Sequence, residues 1–396
     1  MIGRDVDVLV VGGGPAGASC ALHLARGGAR VALLDVPRRH PKVCGGCLTA
    51  PAWDEIGRPE ALGPTPVRKV VFEWAGAAPA RRGGGAARAE AAVDGGAVLV
   101  ERERLDTFLL DRAGEAGAHL LRERARRVRH ARGSWTVETE TGEYRAPTLV
   151  GADGCRSLVR AAVVGALGRS DIAFGAGLLA APADVRPGIV EPGTVRVVFH
   201  AGGYAERGLP RRHAYAYVFG GGGQVPIGVW GRGAARATMM LLRRLLGVWL
   251  WEGRGDGLRI LGRPSPCVVS PGGFDRPTAG NRWLLVGDAA GHVNPVTGEG
   301  IRCALRGGRL AAEAVLDGSP QSFRDRWEAD YGRNLRWGAR LVRIQERAPV
   351  LRWWIEDAGR APWRTQALAD VALGRGSYRA FFLRGALESL RYLVWP

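Results

Sequence analysis

Lysine is almost missing from this chain. Lys42 and Lys69 are the only two among 56 basic residues, so arginine carries the formal net charge of +18. With 60 glycines and abundant alanine, that excess reads as the base-composition bias of a GC-rich genome. The densest basic run, RERARRVRHAR at 122–132, has no interleaved aromatics on which bases could stack. It matches no nucleic-acid module either, so no nucleic acid is expected as a partner. A solvated edge between a helix and a strand is the plainer reading, and attraction to an anionic membrane surface stays open beside it. No apolar run reaches the roughly 18 residues that a bilayer-spanning helix needs. The opening VDVLVVGG lacks the basic flank of a secretory leader and is broken by glycines. The six cysteines (20, 44, 47, 155, 267 and 303) show no disulfide-scaffold spacing. A cytoplasmic protein with reduced thiols is therefore expected. With 46% hydrophobic and 24% charged residues, the composition is that of a folded globular chain, long enough for two joined domains.

The first 35 residues carry the strongest pattern. The apolar run from Asp7 to Val11 leads into GGGPAG, then a helical ASCALHLARGG, then a second apolar run, RVALLD, ending at Asp35. Gly12, Gly14 and Gly17 fit G-x-G-x-x-G. Gly12 makes a tight turn, Gly14 lets backbone approach a pyrophosphate, and Gly17 allows close packing. The helix N-terminus faces the phosphates, and Asp35 can accept from a ribose hydroxyl. GAGLLA at 175–180 and GRGAAR at 231–236 imitate fragments of this motif without its strand–turn–helix frame or its acid. One permanently held dinucleotide is expected. Two later stretches bear on which one: VGADGCRSLVR (150–160) after a strand, and WLLVGDAAGHVNPVTGEGIRCALRGGRLAAEAV (283–315), a strand, a turn and a long helix. In the second, Asp288 could bind a ribityl or ribose hydroxyl. The amides following Gly298 and Gly300 could face an anionic or electron-rich ring edge.

Taken together, GGGPAG, GADGCRSLVR and GDAAGHVNPVTGEG resemble the FAD-dependent oxidoreductases of the para-hydroxybenzoate hydroxylase fold. KVCGGCL (42–48) and NPVTGEGIRCAL (294–305) are most similar to the geranylgeranyl reductase branch of that group. The resemblance covers roughly residues 5–320. It implies an α/β protein: a three-layer Rossmann-like FAD-binding domain, an inserted and mostly antiparallel β-sheet substrate domain, and a C-terminal helical extension. The expected boundaries are 1–65, 98–165 and 276–320 for the FAD domain, 66–97 and 166–275 for the substrate domain, and 321–396 for the helices. FAD contacts are expected from Gly12, Gly14, Pro15, Ala16, Gly17, Asp35, Asp153, Gly287, Asp288, Pro295, Gly298, Gly300 and Ile301. Arg102 corresponds to an arginine beside the flavin; an exposed helix-start arginine is its plain alternative.

The loop KVCGGCL admits three readings. A metal clip needs four ligands and C-x-x-C supplies two, with no histidine at ligand spacing, so no metal is expected. A redox dithiol would occupy the place some flavin disulfide reductases use. Their spacing is wider, however, and the second nucleotide fingerprint they carry for NADPH is missing here. The preferred reading makes the loop a flavin contact: Gly45 and Gly46 let the main chain pass a flat ring where a side chain would collide. By the resemblance, Cys44 then lines the substrate cavity, with Cys47 beside it.

Between the two later stretches, TVRVVFH (194–200), HAYAYVF (213–219) and QVPIGVW (224–230) read as strands, with glycines 220–223 as a hairpin turn. Tyr215, Tyr217 and Phe219 fall on one face and are expected to line the substrate site. Their Tyr-x-Tyr-x-Phe-Gly departs from the branch's Tyr-x-Trp-x-Phe-Pro. The Trp-x-Trp-x-Ile-Pro segment of flavin halogenases is missing, so halogenation is not expected. Phe323, Trp327, Tyr331 and Leu335 recur every four residues, one helical face, and the helices after 320, with their arginines and tryptophans, read as core packing, as lying on a membrane or as capping an apolar substrate tunnel.

The expected activity is reduction of a carbon–carbon double bond in a hydrophobic prenyl or polyketide-type substrate. FAD would be reduced by transient NAD(P)H or by a separate reductase partner, with Cys44 and Tyr217 as candidate proton donors. An FAD-dependent monooxygenase acting on an aromatic or polyketide substrate is the alternative, and a non-enzymatic electron carrier the third reading.

Overall fold

The computed structural model describes residues 6–36, 42, 44–75, 87–168, 171–200, 214–231, 242, 265–269, 274–345 and 362–385. The segment GRGAAR beyond Gly231, the stretch PVLRWWIEDAG and the chain after 385 lie outside the described residues. The chain divides into two compact units: residues 1–39, 103–172 and 269–336 form the first, and residues 40–102, 173–268 and 337–396 the second. The loop at 44–47 thus groups with the second unit, and the helical residues up to 336 with the first.

The first unit is built on a six-stranded sheet ordered Ala279–Gly280, Trp283–Leu285, Thr148–Gly151, Val8–Val11, Val31–Leu34 and His119–Leu121. All its neighbours run parallel except the edge pair at Ala279–Gly280. The central strands VLVV and VALL are buried throughout, as a parallel sheet covered on both faces requires. On one face lies an antiparallel three-stranded meander, Arg127–Ala131, Ser134–Glu138 and Glu143–Ala146. Its Trp135, Val137 and Ala146 pack against Leu9, Val11, Leu34 and Leu149. The helices Pro15–Arg26 and Ile301–Leu316 belong to this unit and pack together closely. Ser19 Oγ donates to the Leu305 carbonyl at 2.8 Å, and a Cβ at Gly308 would lie 2.3 Å from the Ala16 carbonyl oxygen. Helix, sheet and meander make three layers.

Phe323, Trp327, Tyr331 and Leu335 are all buried, so the four-residue recurrence marks a core face. Trp327 is fully buried and its indole N–H donates to Thr278 Oγ1 at 2.9 Å. The basic run at 122–132 meets acids locally: Arg129 pairs with Glu143 at 2.9 Å and with Glu138, and Arg126 pairs with Glu140.

The second unit holds a seven-stranded sheet ordered Ser265–Val269, Ala173–Ala180, Val225–Gly231, Ala214–Phe219, Thr194–His200, Lys69–Ala75 and Ala87–Ala92. Only the pairing of Thr194–His200 with Lys69–Ala75 is parallel among those whose register is described. Period-two alternation divides its faces. One face is aliphatic: Ala176, Leu178, Val198, Ala216, Val218, Ile227 and Val229 cluster around Leu242. The other face is aromatic and is described with the site below. A small sheet of Cys47–Leu48, Val98–Leu99 and Thr65–Pro66 braces the loop at 44–47.

Candidate functional site

The turn after Val8–Val11 is shaped by glycines that admit nothing larger. Gly12 has φ +107°, and a Cβ there would lie 2.4 Å from the Ala152 carbonyl oxygen; one at Gly17 would lie 1.9 Å from the Gly12 carbonyl oxygen. Gly14 is the N-cap of Pro15–Arg26, Pro15 is its first residue, and Ala16 is buried. No side chain caps this helix end and no acid occupies its first turn. Its leading amides, at the positive end of the helix dipole, therefore fit a diphosphate. Asp35 closes the second strand. Its Oδ1 accepts the Gly13 N–H at 3.1 Å, and its Oδ2 pairs with Arg122 at 3.1 Å. The acid on which a ribose would be read is thus already held against the loop.

Two other helix starts in this unit look similar in sequence and differ in structure. After the strand Thr148–Gly151, the carboxylate of Asp153 accepts the Leu158 N–H at 2.6 Å, the Val159 N–H at 3.2 Å and the Ser157 hydroxyl. Ser157 Oγ in turn accepts the Arg160 N–H at 2.8 Å. The half-buried Asp153 is engaged as a helix cap, and loss of surrounding water raises its carboxyl pKa above the ordinary value. The third start follows Trp283–Leu285. Gly287 (φ +59°) turns the chain, and half-buried Asp288 lies beside Gly300. Asn294 Oδ1 ties the turn by accepting from Val296 at 3.0 Å and Thr297 at 3.3 Å, and Pro295 is buried within it. Gly298 takes φ +67°, Gly300 stands at the N-cap position of Ile301–Leu316 without a side chain to cap it, and Ile301 is buried. Within the first turn of this helix, Glu299 Oε1 accepts the Arg302 N–H at 2.6 Å.

In the second unit, the Cys44 sulfur accepts the Gly46 N–H at 3.4 Å, and both Cys44 and Cys47 are half-buried. The glycine pair answers to the protein's own packing. A Cβ at Gly45 would lie 2.0 Å from Phe219 Cε2, and one at Gly46 (φ +66°) 2.1 Å from the Val100 carbonyl oxygen. Phe219 belongs to the aromatic face, with Tyr217 at 5.1 Å between ring centroids and Tyr215 a further 6.4 Å on. Tyr215 also meets Trp230 at 5.3 Å and Phe199 at 6.1 Å. Tyr217 lies over its cross-strand neighbour Gly228, where a Cβ would come within 2.4 Å of the phenol oxygen. Arg102 is buried at the start of the helix Arg102–Glu115.

Two residues escaped sequence reading. Arg160 is only 1% exposed; Nη1 donates to the Ala289 carbonyl at 2.6 Å, while Nε and Nη2 have no hydrogen-bond partner among the described residues. His292 is fully buried, with Nδ1 2.9 Å from Tyr331 Oη and its ring centroid 4.1 Å from that of Trp327. Burial, with the charges of Arg160 and Arg336 adding to it, pushes its pKa down to about 3, so the imidazole is neutral. The R of DGCRSLVR and the H of GDAAGH stand inside the quoted motifs, yet nothing local shows that both are buried. No group of three or more histidine, cysteine or acidic residues arranged to hold a metal occurs among the described residues.

Comparison with known proteins agrees with this geometry. A family profile described as FAD dependent oxidoreductase matches residues 7–218. The geranylgeranyl diphosphate reductase of Rhodobacter capsulatus is 32% identical over 78% of this chain and 75% of its own length. The menaquinone reductase of Mycolicibacterium smegmatis is 28% identical over 93% of this chain and 90% of its own. Among solved structures, a geranylgeranyl bacteriochlorophyll reductase-like protein from Thermoplasma acidophilum superposes with a TM-score of 0.67 at 21% identity. That match covers 89% of this chain and 92% of the other.

Proposed function

The chain belongs to the FAD-dependent oxidoreductases, and we propose that within this family it reduces a carbon–carbon double bond in a hydrophobic substrate of prenyl or polyketide type. FAD, reduced by NAD(P)H or by a separate reductase, would supply the two electrons. The open N-terminus of Pro15–Arg26 would hold the diphosphate and Asp35 the ribose, with Asp288 and the turn through Gly300 serving the flavin end. Saturating the bond takes a hydride and a proton, and Cys44 and Tyr217 are the proposed proton donors.

The observation that carries the reading is the aromatic face of the seven-stranded sheet. Phe199, Tyr215, Tyr217, Phe219 and Trp230 stand together there, and the loop bearing Cys44 packs on Phe219 through Gly45. An apolar wall with few hydroxyls suits a substrate that has little to hydrogen-bond. The names of the geranylgeranyl diphosphate and menaquinone reductases point the same way. Peripheral contact with an anionic bilayer belongs to the same reading. Its support is the cation–aromatic stacking of Arg340 on Trp337 and Arg384 on Trp363, at 4.6 and 4.2 Å. No helix among the described residues is long and apolar enough to cross a membrane.

Oxygenation is the second reading, favoured by the tyrosine at 217 where the reductase branch carries tryptophan. Single turnover of pre-reduced enzyme with candidate prenyl and polyketide lipids, O2 excluded, separates the two. A reductase forms product without oxygen, and the product gains two hydrogens per bond. Turnover that waits for air and incorporates heavy oxygen would reject reduction in favour of hydroxylation.

A further inference from the structure

The helix Ile301–Leu316 has no cap from Gly300 and no acid in its first turn, yet its leading amides are not free. Glu299, one residue ahead of the cap, folds its carboxylate back onto them. Oε1 accepts the Arg302 N–H at 2.6 Å, and the Ile301 amide also stabilises the charge. The turn is built to deliver it. Thr297 Oγ1 accepts the Glu299 N–H at 3.2 Å, the Glu299 carbonyl accepts the Asn294 N–H at 2.8 Å, and the Gly298 N–H returns to the Asn294 carbonyl at 2.8 Å. A second acid stands close by, with Asp288 Oδ1 3.4 Å from where a Gly300 Cβ would be. A helix N-terminus carries roughly half a positive charge and ordinarily favours an anion. Here a resident carboxyl already occupies it, in a turn that resembles the flavin-binding loop of the family.

We propose that Glu299 sets the electron affinity of the bound FAD: its carboxylate opposes the negative charge the flavin gains on reduction, making the reduced cofactor a stronger hydride donor. This inference rests on the FAD reading above. Two charged neighbours act on the carboxyl: Asp288, from the preceding turn, repels it, and Arg302, from the helix itself, attracts it. The adjacent thiol of Cys303 is held protonated by burial, with the Glu299 charge adding to that. Loss of water raises the Glu299 pKa above the ordinary carboxylate value, offset in part by the Arg302 and Ile301 amides and the Arg302 charge. The opposition is therefore present at high pH and relieved as Glu299 takes up a proton.

The test is the midpoint potential of the purified holoenzyme, titrated spectroscopically across pH for wild type, Glu299→Gln and Glu299→Asp. Glutamine keeps the acceptor for the Arg302 N–H and removes the charge, so its potential should move positive at high pH and lose the inflection due to Glu299. A tenfold gain in affinity for reduced over oxidised flavin reads as about 30 mV. Aspartate keeps the charge and should keep the wild-type potential. Identical potentials for wild type and Glu299→Gln at every pH would overturn the proposal, as would an equal shift in Glu299→Asp. A wild-type protein that binds no FAD would instead refute the reading beneath it.

Discussion

Replacing Gly45 by alanine asks what the glycine is for. The new Cβ would lie 2.0 Å from Phe219 Cε2 and 2.4 Å from Cδ2, both impossible contacts, and 3.0 Å from Cζ, a tight one. The ring would have to swing away, and Tyr217, 5.1 Å off, stands on one side of it. Overpacking of this kind costs about 1–3 kcal/mol. Most of that cost should vanish when Phe219 is itself alanine, because the obstacle is then gone. A double-mutant cycle by urea unfolding, with and without saturating FAD, reads the coupling directly; residues in contact give about 0.5–3 kcal/mol. Gly46→Ala is the control. Its Cβ would meet a backbone carbonyl at 2.1 Å, and its φ of +66° is strained for any L side chain. Its larger cost should therefore persist in the Phe219→Ala background. If the glycine instead existed to admit a flat cofactor, Gly45→Ala would leave FAD-free stability unchanged and weaken FAD binding. That outcome, with no coupling to Phe219, would refute the packing argument.

Gly14→Val should strip FAD from the purified protein by placing a branched side chain at the open helix end, and full occupancy by absorbance would contradict that assignment. Asp153→Ala should cost about 0.5–2 kcal/mol as a lost cap while FAD stays bound; loss of FAD at unchanged stability would make Asp153 a ligand instead. His292 is neutral in the fold because its pKa falls from 6.5 to about 3. Its contribution is complete above pH 6.5 and is lost as pH falls toward 3, at most about 1.4 kcal/mol per pH unit. His292→Phe should flatten the stability–pH slope in that window, and an unchanged slope would argue against a buried neutral imidazole. Trp327→Ala should cost about 3–5 kcal/mol, read as a lowered urea midpoint, since the indole is fully buried and bonded to Thr278.

Features set by local chain geometry were legible in the sequence, and those set by distant partners were not. Gly12 and Gly17 announce themselves because a strand, a turn and a helix within twenty-odd residues leave little room for a side chain. The alternation of Tyr215, Tyr217 and Phe219 follows from strand geometry alone. What fills the space beside Gly45 does not: Phe219 lies far along the chain, and only the folded sheet brings it there. The same holds for Gly228 beneath Tyr217, a position decided by strand register, and for Gly308, which lets two distant helices meet. His292 reads as one more polar residue in a glycine-rich turn until Trp327 and Tyr331 arrive from a later helix to enclose it.

The three loops GGGPAG, GADGCRS and TGEG illustrate the distinction most sharply, because each joins a strand or turn to a helix and each could receive an anion. Their difference lies in which side chains, if any, meet the amides. At Gly14 there is none, so the amides stay available. At the second loop Asp153 and Ser157 satisfy the amides from within, and the helix start becomes a structural joint. At the third, Glu299 satisfies them with a carboxyl whose charge depends on pH. A motif therefore specifies where backbone donors converge. Whether they serve a ligand, a joint or a charge-bearing neighbour depends on the nearest acceptor, which is why substitutions at Gly14, Asp153 and Glu299 should produce three separate phenotypes: lost cofactor, lost stability and a shifted potential.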